Sequence, residues 1–137
     1  MTVGMKNVRG RMVTEYPAGG TPKGLTIYFL WSYSRKDRSD YRDFLKPVWN
    51  IIRTRYIGLL TGKGYKVLSV WRATREDMMV AHHNPRSAGV YIDAHGSAGK
   101  VRSSDGKWFA VFAGWVEGSV ENRNLCTCCL IYKGCLY

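Results

Sequence analysis

The chain has 137 residues, 45% of them hydrophobic, with 21 Lys and Arg against 10 Asp and Glu and a formal net charge of +11. That length suits one domain with a core that needs neither disulfides nor metals. No run of about 18 apolar residues occurs, and residues 1–10 lack the apolar stretch of a secretory leader, so a cytoplasmic address with no membrane partner is expected.

In chain order, residues 1–24 read as a flexible N-terminal arm. Pro17, Gly19, Gly20, Pro22 and Gly24 break any period, with an added strand expected around Arg11–Glu15. Residues 25–137 read as one domain. Leu25–Trp31 is an unbroken apolar run of strand formers, the pattern of a central strand covered on both faces. Ser32–Asp40 is polar. A helix follows, capped by Asp40, with apolar residues at Tyr41, Phe44, Leu45, Val48, Trp49, Ile52, Tyr56, Leu59 and Leu60 forming one wide buried face. Pro47 marks a kink or the helix's true first turn, and Gly62 and Gly64 supply the stop.

Tyr65–Trp71 reads as a second strand. Thr74 and Asp77 have capping-box spacing and open a short helix that ends before Asn84-Pro85. Ala88–Ala94 reads as a third strand that runs into His95-Gly96-Ser97. Ser103-Ser104-Asp105-Gly106 is a hairpin turn, with Val101 and Trp108–Trp115 as its arms. Gly118–Asn124 reads as a polar loop and Leu125–Tyr132 as a fourth strand. The expected fold is α/β, a mainly parallel sheet flanked by helices with a small β-hairpin.

All four cysteines fall in the last twelve residues. A disulfide scaffold would spread them, so reduced thiols are expected. Cys126, Cys128 and Cys129 lie inside the apolar run, where a thiol packs as a small hydrophobe. They are too close together to share a tetrahedral ion, so no metal site is expected, nor is any cofactor. Cys135 lies beyond the run, after Gly134. If the third and fourth strands are parallel neighbours, about 4.8 Å apart, His95 and Cys135 emerge on the same rim. An imidazole there lowers a thiol's pKa or takes its proton. The glycines Gly96 and Gly134 permit sharp turns beside them.

The stretch Val90-Tyr91-Ile92-Asp93-Ala94-His95-Gly96-Ser97 resembles the strand and His-Gly turn of caspase-like cysteine peptidases, including the CHAT-type proteases. Leu130-Ile131-Tyr132-Lys133-Gly134-Cys135 is similar to that family's later strand and nucleophile. The resemblance covers residues 24–137, and only the first half of such a domain. It implies His95 as general base or acid, Cys135 as nucleophile on the carbonyl of a peptide or protein substrate, and the amides of Gly96 and Cys135 as oxyanion hole. Several outcomes stay open: a working peptidase, an inactive remnant, a truncated product, or a chain completed by a partner. An open edge at the fourth strand invites a homodimer or another chain.

A different class of function competes. Tyr33, Arg35, Lys36 and Arg38, with Tyr28 and Trp31 before them, mix aromatics and cations in a way that stacks bases and meets phosphates. A small basic binding or inhibitor protein acting on nucleic acid, or on a nucleoprotein or protein partner, is therefore the alternative.

Overall fold

The computed structural model describes residues 4–8, 11–34, 45–97, 100–110, 116–122 and 127–132, with side chains described for 12–34, 45–96 and 100–110. The strands are β1 (Gly4–Val8), β2 (Arg11–Tyr16), β3 (Thr26–Ser32), β4 (Lys66–Trp71), β5 (Ser87–Ser97), β6 (Lys100–Arg102), β7 (Trp108–Ala110), β8 (Val116–Asn122) and β9 (Thr127–Tyr132). The helices are α1 (Lys46–Ile51), which continues through a π turn (Ile52–Tyr56) into α2 (Ile57–Gly62), and α3 (Arg75–His83). None of these helices is long and apolar enough to cross a membrane.

The α/β class expected from the sequence is what the chain forms, but the sheet is mixed. Among the described strands only β4–β3 and β3–β5 are parallel pairs. These are the strands joined by helices, and a helical crossover is what returns a chain in the same direction. After β5 the chain makes the β6–β7 hairpin and then β8 and β9. β9 pairs antiparallel with β5, from His95↔Thr127 to Val90↔Tyr132. The expectation of a parallel fourth strand is thereby corrected. That strand is not an edge either, because β8 pairs along its other side. Gly118–Asn124, read as a loop, falls largely within β8.

The N-terminal segment is also corrected. β2 pairs antiparallel with β4 over Met12–Tyr16, and β1 pairs with β2, so the expected free arm extends the sheet. The strand expected around Arg11–Glu15 is β2; what the glycines and prolines after it masked is its pairing into the sheet.

Strand β3 is buried on both faces, as its sequence predicts. Tyr28 and Leu30 join a core with Val70, Met78, Ala81, Val90, Ile92 and Ala94, under α3. Phe29, Trp31 and Tyr33 join a second core with Leu45, Ile52, Ile57 and Val67, under α1–α2. Trp31 stacks on Trp71 at 4.8 Å and meets Trp49 edge-on at 5.8 Å.

Helix α1 begins with Pro47 in its first turn, one of the two roles that its position allows. Of the face expected to be buried, Leu45, Trp49, Ile52 and Leu60 do pack on the sheet. Ile52 is buried, and the next buried residue is Ile57, five positions on rather than four. The π turn accounts for this, since its i→i+5 bonding inserts one residue into the helical phase. Tyr56, Val48 and Leu59 are left exposed.

The Thr74–Asp77 box forms as read: the Thr74 side chain accepts from the Asp77 amide, and the Thr74 amide donates to Asp77 Oδ2 at 2.8 Å. Gly64, with φ of +99°, turns the chain out of α2 against the Thr21 carbonyl.

Candidate functional site

The carboxyl ends of β4, β3 and β5 form a tied rim. Ser32 Oγ donates to the Ala73 carbonyl at 2.8 Å, and the Ala73 amide donates to Trp31 O at 2.9 Å. The β6–β7 turn folds onto the same place. Ser104 Oγ donates to Arg72 O at 2.9 Å, and the buried Ser103 hydroxyl accepts from the Arg75 amide at 3.2 Å. Arg72 is the one non-glycine among the described residues with positive φ, +57°. A left-handed conformation costs a residue with a Cβ about 1–2 kcal/mol, which the bonds to its neighbours hold in place.

On the α1–α2 face of this rim sits a polar cluster. Asp93 is 3% exposed. The Tyr33 hydroxyl donates to its Oδ1 at 2.5 Å and the Tyr91 hydroxyl to its Oδ2 at 3.1 Å. A carboxylate carried into a core requires such donors, because an unpaired one costs far more than the strand gains by burying it. His95 stands two residues after Asp93, hence on the same face of β5. Its ring meets that of Tyr33 edge-on, centroids 4.9 Å apart. The cluster thus orders Tyr91, Asp93, Tyr33 and His95 from the core outward to the rim.

Sequence reasoning found His95 but assigned no role to Asp93. A signal was present: one acid inside Val90-Tyr91-Ile92-Asp93-Ala94, a run apolar enough to be buried. Tyr33 was seen, in the wrong capacity. It is 6% exposed and bonded to Asp93, and Tyr28 and Trp31 are buried too. None of these three rings can stack a base, so the aromatic part of the nucleic-acid alternative is corrected. Arg35, Lys36 and Arg38 lie outside the described residues.

Gly96 is also corrected. It continues β5, opposite Val101 of β6, and the chain reverses only beyond Ser97. Cys135 lies outside the described residues, as does Cys126. The Cα register sets Cys129 opposite Asp93 and Cys128 opposite Ala94, while Tyr132, three residues before Cys135, is opposite Val90. Strand β9 therefore starts beside His95 and runs away from it, the reverse of the expected approach. The described residues bring together no three His, Cys, Asp or Glu side chains able to hold a metal ion. His82 and His83 stack edge-on at the end of α3, 4.8 Å apart, remote in sequence and on the other face. No family model, curated protein or solved structure matches the chain.

Proposed function

We propose that the chain is a caspase-like cysteine peptidase domain, or a relative that has lost activity, with His95 as its proton-transfer residue. One observation carries the reading: His95 stands at the carboxyl end of β5, beside the central β3 of the parallel trio, with Tyr33 against its ring and the buried Asp93 below. The ends of parallel strands are where α/β sheets place their chemistry, and a fixed imidazole is the usual partner of a nucleophilic thiol.

In this reading His95 takes the proton of a cysteine thiol, and the thiolate adds to a peptide carbonyl carbon. The C–N bond then breaks as His95 returns the proton to the leaving amine. Water, deprotonated by His95, releases the acid from the thioester. Tyr33 and Asp93 hold the imidazole side of the site; they do not touch the reacting atoms. Cys135 remains the proposed nucleophile on its sequence context alone, a cysteine after a glycine beyond an apolar run. The direction of β9 lends it no support.

The test is alkylation by iodoacetamide, followed at each cysteine by mass spectrometry. Cys135 should react at least tenfold faster than the other three, and His95→Ala should remove that advantage. Similar rates at all four cysteines, unchanged in the variant, sink the peptidase reading. A fast, His95-dependent cysteine other than Cys135 keeps the pair and moves the nucleophile. Of the nucleic-acid alternative, the net positive charge is what remains to support it.

A further inference from the structure

The stretch between Asp43 and Glu76 contains no acidic residue. It includes the whole α1–α2 helix, whose Lys46, Arg53 and Arg55, with Lys63 just past its end, are all exposed. Among the described residues none of these four cations is in an ion pair, whereas Lys66 nearby bridges Glu15. The same helix exposes four large apolar side chains: Val48 at 37%, Ile51 at 49%, Tyr56 at 50% and Leu59 at 55%.

Those four are not scattered. Their spacings are three, five and three, and the five spans the π turn, so they lie along one line of the helix. Each immediately precedes a residue that packs on the sheet: Trp49, Ile52, Ile57 and Leu60. At about 100° per residue, the line runs along a flank of the helix rather than its crest. Arg53 marks the opposite flank. Burial raises the Tyr16 hydroxyl above its ordinary pKa and the Arg53 guanidinium draws it back, which sets Arg53 on the β2 side. The apolar flank therefore looks toward the β5 half of the sheet.

We propose that this flank docks an acidic amphipathic helix of a partner protein. Val48, Ile51, Tyr56 and Leu59 supply the apolar line, and Arg55 and Lys63, each four residues past one of them, the charge that selects the partner. The line is ~16 Å long, three helical turns, the length over which a partner helix offers apolar residues at i, i+3, i+4 and i+7. The acid-free run of sequence through the helix calls for carboxylates beside those residues. A second copy of the chain is disfavoured because it would oppose cation to cation. A bilayer is disfavoured because a flat surface meets the crest of a helix, and the crest here carries Asn50, Thr54 and Gly58.

A displayed library of helical peptides selected against the full chain tests this, with winners resynthesised and measured by fluorescence anisotropy. Winners should be enriched in Asp and Glu around a three-four apolar repeat and should weaken as salt rises. Ile51→Asp and, separately, the double change Arg55→Glu with Lys63→Glu should each weaken them at least tenfold. Both variants alter exposed positions, so their circular dichroism and unfolding midpoints should match those of the parent, and Leu59→Asp gives a second apolar probe. Winners without acidic enrichment, winners indifferent to all these variants, or no winners overturn the proposal. So does sedimentation of the chain with phosphatidylserine vesicles that Ile51→Asp abolishes while no acidic peptide binds.

Discussion

Under α3 the sheet presents Leu30, Val70, Val90, Ile92 and Ala94, an aliphatic surface broken only by Tyr28. Under α1–α2 the same three strands present Phe29, Trp31, Tyr33, Trp71 and Tyr91, with Asp93 and His95 at the rim. Alternation along a strand separates the two sets. The difference shows how a domain can hold polar chemistry without weakening its core. Aliphatic groups fill most of the first face, and the Tyr28 hydroxyl there already accepts from Asn84. Aromatic rings fill the second, and two of them carry hydroxyls that end on one carboxylate. A buried acid is tolerable on that face and would be orphaned on the other.

The largest effect that would test this contrast is at Trp31. Trp31→Ala removes a fully buried ring from a stack with Trp71 and an edge contact with Trp49, and should cost about 3–5 kcal/mol in denaturant unfolding. Ile92→Val on the aliphatic face should cost about 1 kcal/mol. Equal losses would erase the distinction between the faces.

Asp93→Leu comes next. It leaves the hydroxyls of Tyr33 and Tyr91 without their acceptor and should cost about 2–3 kcal/mol. Adding Tyr33→Phe and Tyr91→Phe to that variant should recover part of the loss, since the orphaned hydroxyls are gone. A triple variant no more stable than Asp93→Leu alone would show that the carboxylate is held by something else.

The smallest effect belongs to the aliphatic side, at the end of its helix. Burial first, and then His83, hold His82 below its ordinary value of 6.5. The unfolded chain then takes the proton more readily than the folded one. Stability should therefore fall as pH drops below about 6.5, and that loss should shrink in His82→Gln. Parallel pH profiles for the two proteins would remove His82 from the account.

Local features were legible in the sequence. Thr74 and Asp77 are three residues apart and bond each other, so nothing distant was needed to read them. Leu25–Trp31 carries its double burial in its composition. The turn around Gly106, with φ of +89°, was marked by its own residues. What escaped reading depends on partners. Strand β9 has no helix before it to set its direction, and apolar content is the same whichever way a strand runs. The helix face was misread in part because one extra residue in the π turn moves burial from Tyr56 to Ile57. Asp93 was passed over because its meaning lies in two tyrosines, one of them sixty residues away.

The β6–β7 turn has a consequence for how the molecule opens. Ser103 accepts from the first amide of α3, and Ser104 donates to the backbone just before that helix. The helix start and the hairpin tip are thus latched to each other, and neither can fray alone without stranding a buried serine. In hydrogen exchange the amides of Arg75 and Ser103 should lose protection together, as one cooperative unit, which makes this corner a single hinge plate rather than two loose ends.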